Sequence, residues 1–244
     1  GGHLSWRSAL TFPDRFAAIL PMSGGYRRFV DDDALYNAYN VRGYATWGEE
    51  EPYGINVDNR ILRDAMEAHG FPWRFKELPG NHPLDLAELA RVAEWSTEVR
   101  RDVYPRAVVA LRSTLSFASD QEDPRWDTRH AWEPERPIHL ESMHWVDLFP
   151  VVDGEGKPVA QRVLARNLGG NRFSVTAQEA KKVRLYLHPS MVDLAKPITV
   201  LVNEEPAFEG EVRPRIETLL EHVRRTGDRG AVYHAAIEVE VSTS

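Results

Sequence analysis

Cysteine is absent from this 244-residue chain, which excludes disulfide bonds, thiolate metal sites and cysteine catalysis. Long hydrophobic runs are absent as well, since no apolar stretch approaches the roughly 20 residues of a membrane-spanning helix. The chain begins without Met and without a signal peptide. We therefore expect a fragment of a longer protein whose targeting information has been lost, and its localisation is left open.

Positive charge is in deficit, with 30 Lys and Arg against 37 Asp and Glu, a net charge of −7 at pH 7. Nucleic acid is therefore not an expected partner, because phosphate binding needs a basic face. Hydrophobic residues make up 42% of the chain, enough to bury a sizeable core. The length fits one large domain or two ordinary ones.

The first hundred residues alternate between helical and strand patterns. The strand over 16–23 is apolar without alternation and is bounded by Pro and Gly, which is typical of a strand covered on both faces. The alternating order of helices and strands predicts a parallel α/β sheet with right-handed crossovers. The predicted elements are a helix over 2–12, a strand over 16–23, a strand over 41–47, a helix over 57–69, a strand over 73–78 and a helix over 84–100.

The character of the chain changes near residue 103. Short β-rich runs follow, separated by turn signals such as Asp153-Gly154-Glu155-Gly156 and Gly169-Gly170-Asn171. This spacing predicts a mostly antiparallel sandwich or barrel-like domain over 103–244, with one helix near 214–225. Residues 118–137 are rich in charge, Pro and Trp, and we predict that they form a long loop.

An acid and a histidine follow two successive strands of the first hundred residues. Glu51 lies just after the second strand, and His82 lies in a Gly-containing loop after the third. Open α/β sheets place their sites at the carboxyl ends of strands, so the two residues form a candidate pair. Glu49 and Asp58 remain alternative acids. No metal-ligand spacing is present among the histidines.

Three stretches carry a resemblance to a known family, namely GGHLSWRSALTFPDRFAAILPMSGG, YATWGEEEP and FPWRFKELPGNH. Residues 1–102 resemble the C-terminal part of the catalytic domain of α/β-hydrolase esterases and peptidases. The nearest groups are the phospholipase/carboxylesterase-like, dienelactone-hydrolase-like and prolyl-oligopeptidase-like families. Gly1 and Gly2 look like the downstream half of their G-x-S-x-G nucleophile turn, which puts the serine two positions before Gly1, outside the chain.

The resemblance implies a serine hydrolase acting on a small ester or peptide, with no cofactor and no metal. His82 falls on the triad base and Glu51 on the triad acid, where Glu in place of Asp is a departure from the usual pattern. Gly1 and Gly2 would pack the turn around the nucleophile. Because serine and oxyanion hole lie outside the chain, we expect these residues alone to be inactive.

The alternative is a non-catalytic binding or structural protein, a pseudoenzyme whose β domain binds a ligand or partner. That domain resembles a C-terminal β domain attached to some bacterial α/β-hydrolases. Trp126, Trp132 and Trp145 are either a stacking surface or core residues. We also expect the fragment to self-associate through the sheet edge at residues 16–23, where backbone groups would be unpaired.

Overall fold

The computed structural model describes residues 1–25, 32–115 and 138–241. The chain divides into two compact units, one of residues 1–101 with 115–138 and one of residues 102–114 with 139–244. The loop predicted over 118–137 lies outside the described residues, as do Trp126 and Trp132. No helix within the described ranges is both long enough and apolar enough to cross a membrane.

Helices and strands alternate in the first unit, around a three-stranded sheet of order β1-β2-β3 in which both pairs are parallel. The predicted parallel α/β arrangement is therefore confirmed. The elements are α1 (Gly2–Thr11), β1 (Ala18–Ile19), β2 (Arg42–Gly48), α2 (Ile55–Ala68), β3 (Trp73–Leu78) and α3 (Leu86–Glu98), with 3-10 helices at Pro13–Arg15, Asp32–Asn40 and Pro52–Gly54.

The first strand is shorter than the predicted 16–23. Pro21 has no N–H to give to the ladder, so regular pairing stops at Ile19 and resumes only as a bridge between Met22 and Thr46. Thr46 donates to the Pro21 carbonyl at 2.9 Å. Among the described residues, β1 has β2 as its one strand neighbour. Self-association through this edge stays a prediction.

Tryptophans pack the core of the first unit between the sheet and its helices. Trp6 of α1 stacks on Trp73 of β3 with ring centroids 4.6 Å apart. Leu62 and Met66 bury the inner face of α2. Gly43 of β2 is required beneath the Trp73 indole, because a Cβ at this position would lie 2.1 Å from that ring. This core holds α1 and α2 against the sheet.

The second unit is built from two open sheets, of order β13-β10-β7-β6 and β12-β11-β9-β8-β4-β5. Apart from the parallel pair β9–β11, the pairs with a described register in these two sheets are antiparallel. The elements are β4 (Ala107–Leu115), β5 (Ile138–Leu140), β6 (Ser142–Met143), β7 (Val146–Leu148), β8 (Gln161–Gly169), β9 (Arg172–Gln178), β10 (Lys182–Leu187), β11 (Ile198–Val202), β12 (Glu205–Gly210), α4 (Ile216–Thr226) and β13 (Ala235–Glu240).

The barrel-like alternative for this unit is wrong, because the described strands do not close into a barrel. Both sheets instead contribute to one hydrophobic core, which includes Val163 and Phe173 from one sheet and Leu185 and Ile237 from the other. Trp145 is fully buried in that core against Phe173. It therefore takes no part in an exposed stacking surface.

Candidate active site

Two loops meet at the edge of the first unit's sheet where the strands end. The acid turn (residues 48–54) follows β2, and the histidine loop (residues 79–85) follows β3. Backbone hydrogen bonds join the acid turn to the end of β3 and to the histidine loop: Glu49 N–H donates to Leu78 O at 2.8 Å, and Glu50 N–H donates to Gly80 O at 3.1 Å. Parallel strands end at a common edge, so the sheet itself brings the two loops together.

The acid turn and the histidine loop place a carboxylate against an imidazole. Glu51 Oε2 lies 3.1 Å from His82 Nδ1. The Glu51 side chain is completely buried, whereas 69% of the His82 side chain is exposed. A carboxylate facing Nδ1 holds the proton of the neutral ring on that nitrogen. Nε2 then has a free lone pair and can accept a proton.

The Glu51 carboxylate is fixed by the backbone of its own turn. Its Oε1 accepts the Gly48 N–H at 3.3 Å, and the Glu51 N–H donates to Gly48 O at 3.2 Å. A buried carboxylate needs such partners, because removing its charge from water without them is costly. Each carboxylate oxygen therefore has one partner: Oε1 accepts the backbone N–H of Gly48, and Oε2 faces the imidazole of His82.

Gly48 allows the histidine loop to approach the acid turn. A Cβ at this position would lie 2.3 Å from Gly80 O, 2.6 Å from Pro83 Cδ and 3.2 Å from His82 N. The first contact is with backbone, which cannot yield as a flexible side chain would. No role was predicted for this glycine from the sequence, although a Gly at a strand end just before an acid is the signal that points to it.

We predict that Gly48→Ala lowers the free energy of unfolding by about 1–3 kcal/mol, the usual cost of forcing extra atoms into a packed site. Because the clash is with the histidine loop, the variant should also lose the contact between His82 and Glu51. Urea unfolding measures the first effect, and the ring-nitrogen NMR shifts of His82 measure the second. Gly154→Ala is the control, since a Cβ at Gly154 meets nothing within 4 Å.

Gly48→Ala with wild-type stability and wild-type His82 shifts would contradict the role given to this glycine.

The backbone is held in an unfavourable conformation at both loops. His82 has φ of 50° and Tyr53 has φ of 62°, in the left-handed region that residues with a Cβ rarely adopt. Such conformations cost on the order of 1–3 kcal/mol each and persist where the surrounding structure fixes them. Here the hydrogen bonds between the acid turn and the histidine loop supply that constraint.

The beginning of α1 lies against the segment that follows β1, at the same edge of the sheet. A Cβ on Gly2 would lie 2.1 Å from Met22 O and 2.7 Å from Gly24 N, whereas a Cβ on Gly1 would meet nothing within 4 Å. Trp6 Nε1 donates to Gly24 O at 3.1 Å. The close packing predicted for the glycine pair is therefore made by Gly2.

Of the three candidate acids, Glu51 is the one in contact with His82. Glu49 is exposed, and its backbone carbonyl accepts the Asn56 side chain at 2.6 Å. Asp58 lies in the first turn of α2. The catalytic roles of His82 and Glu51 remain predictions, but the structure brings this pair together as a triad base and acid would need.

The described residues contain no cluster of three His, Asp or Glu side chains that could hold a metal ion. Comparison with protein-family models and with curated proteins gives no match.

Proposed function

We propose that this chain supplies the base and the acid of a Ser–His–Glu triad in a serine hydrolase with an α/β-hydrolase fold, acting on esters or peptides. The proposal depends on one observation, the contact between His82 Nδ1 and the buried Glu51 carboxylate at the carboxyl edge of a parallel sheet. A histidine oriented by an acid on Nδ1, with Nε2 available, is the arrangement of a general base.

In the proposed reaction, the serine hydroxyl oxygen attacks the substrate carbonyl carbon while His82 Nε2 takes its proton. His82 then gives that proton to the departing alcohol or amine as the carbonyl carbon–leaving-group bond breaks. A water molecule next attacks the acyl-enzyme with the same help from His82, which releases the acid and restores the serine. Glu51 stabilises the imidazolium in both steps without taking its proton.

The nucleophile in this proposal is a serine two residues before Gly1. The support for its position is the close approach of Gly2 to Met22 O and Gly24 N, since a nucleophile turn uses glycine where its helix packs tightly. Ser5 and Ser8 lie within α1, outside a G-x-S-x-G turn, and their hydroxyls donate to the Gly1 and Leu4 carbonyls. Residues 1–244 alone should therefore hydrolyse nothing.

The test is labelling by a fluorophosphonate of the protein that includes the residues preceding Gly1. We expect covalent labelling of one serine, and a loss of at least about 10³-fold in labelling rate for His82→Ala, because the base that activates the serine is gone. His69→Ala is the matched control, since His69 caps the far end of α2 and packs on Phe71. Its labelling rate should equal that of the wild type.

Absence of labelling, or equal labelling of the wild type and His82→Ala, would overturn the proposal. Absence of labelling would leave the non-catalytic alternative, a binding or structural protein, whereas equal labelling would remove His82 from its role as the base.

A further inference from the structure

One backbone carbonyl at the site edge receives two side-chain N–H groups from different helices. Gly24 O, in the segment after β1, accepts Trp6 Nε1 of α1 at 3.1 Å and Asn59 Nδ2 of α2 at 3.0 Å. All three residues are buried, Asn59 with 1% exposure. The carbonyl therefore links the helix that begins at Gly2 to the helix that follows the acid turn.

Asn59 also fixes the first turn of α2. Its Nδ2 donates to Ile55 O at 2.8 Å, the carbonyl of the first residue of that helix. Glu51 lies only four residues before Ile55, and the N-cap of the helix is Gly54, which has no side chain to cap it. Asn59 thus holds the start of α2, directly after the acid turn, at a set distance from Gly24.

We infer that Asn59 is a positioning residue of the proposed hydrolase, which sets the Glu51–His82 pair relative to the nucleophile turn at the start of α1. The inference rests on the proposed function. Its physical basis is that a hydrolytic site tolerates little displacement, since a shift of about 1 Å between base and nucleophile costs about 10²-fold in rate. Asn59 touches neither substrate nor reacting atoms, so it acts only through the two helices.

A second asparagine in the first unit serves as a matched control. Asn37 is also fully buried, and its Nδ2 donates to Leu10 O at 2.7 Å. That carbonyl lies near the end of α1, away from Gly2. Loss of either asparagine removes a buried amide that binds a backbone carbonyl, but only Asn59 joins the two helices at the site edge.

The experiment measures fluorophosphonate inactivation of the protein that includes the residues before Gly1. It separates the rate constant of the covalent step from the constant for reversible binding of the inhibitor. For Asn59→Leu we expect the rate constant of the covalent step to fall about 10–100-fold, with the reversible inhibitor constant unchanged. Asn37→Leu should show a similar fall in thermal midpoint and no change in either constant. Asn59→Asp, which keeps the size of the side chain and removes its N–H donors, should behave as Asn59→Leu does and serves if the leucine variant does not fold.

The two possible failures can be told apart. If His82→Ala abolishes labelling but both Asn59 variants react at the wild-type rate, the inference about Asn59 is wrong and the proposed function stands. Equal slowing of the Asn59 and Asn37 variants would also overturn it, because the effect would then follow stability alone. If labelling does not depend on His82, the proposed function and the inference fall together.

Discussion

Glu51→Gln should lower the rate of serine acylation by about 10⁴-fold, the loss that follows when a triad histidine is held in the wrong tautomer. The Gly48 N–H requires an acceptor where Glu51 Oε1 now lies, so the glutamine oxygen should take that place. The glutamine NH₂ group would then face His82 Nδ1 and donate to it. His82 would carry its proton on Nε2, where the proton of the serine must be accepted.

This effect is measured as the rate of fluorophosphonate labelling, or as kcat on an activated ester, in the protein that includes the residues preceding Gly1. Glu49→Gln is the control, because Glu49 is exposed on the same turn and should change the rate little. A loss of less than about tenfold for Glu51→Gln would contradict the role of Glu51 as the triad acid.

The second unit should lose stability in acid through His222. This histidine is the one fully buried residue of α4, and its ring lies edge-on to Tyr186 and Tyr233, with centroids 5.0 and 4.5 Å away. Burial, and then the charge of Arg225 on the same helix, lower the pKa of His222 to about 4. A charged imidazole is therefore disfavoured in this position.

The sign of the effect follows from proton binding. Between about pH 4 and pH 6.5 the unfolded chain binds a proton at His222 that the folded chain does not, so stability rises with pH across this range. The full effect, reached below pH 4, is at most about 3 kcal/mol, since one pKa unit corresponds to 1.36 kcal/mol. Above pH 6.5 the contribution is constant.

Other titrating groups pack near His222 from β7, β10 and the segment after α4. Asp147 on β7 accepts hydrogen bonds from Arg225 and Tyr186, both at 2.8 Å. Burial raises the pKa of Asp147, so its titration lowers the stability as pH rises, opposite to the effect of His222. Asp228 lies after α4 and favours the charged imidazole. The contribution of His222 must therefore be taken as a difference between two proteins that share these groups.

His222→Phe is the suitable variant, because it keeps an aromatic ring between the two tyrosines and removes the titration. Urea unfolding at several pH values gives the stability of the second unit when it is monitored through the hydrogen exchange of amides in β10 and β13. The wild type should lose about 2–3 kcal/mol more than His222→Phe between pH 7 and pH 4. Parallel pH dependences in the two proteins would contradict this account.

Periodicity and strand-end signals were enough to predict the sheet of the first unit and the pair at its edge. Strand β3 has the predicted bounds, Trp73–Leu78, because the segment lies between a Pro and a Pro-Gly turn. Glu51 and His82 could be proposed because each follows a parallel strand, and parallel strands end at one edge. The order of the two residues along the chain was the signal, and the parallel sheet brings them close together in space.

Features that depend on three-dimensional packing could not be predicted in this way. Ile61 and Leu62 are adjacent apolar residues of α2, yet Ile61 is 41% exposed while Leu62 is fully buried, since the sheet covers a narrower stripe of α2 than its apolar residues occupy. The role of Asn59 depends on a carbonyl 35 residues away at Gly24. No local pattern marks such a contact.

The central claim is that Glu51 holds the proton of the neutral His82 ring on Nδ1, which leaves Nε2 free to act as a base. It is tested most directly by ¹⁵N NMR of the two ring nitrogens of His82 in residues 1–244, recorded on the neutral form of the ring. We predict a protonated Nδ1 and an unprotonated Nε2 in the wild type, with the two reversed in Glu51→Gln. A wild-type ring with its proton on Nε2, or the same mixture of tautomers in both proteins, would contradict the account.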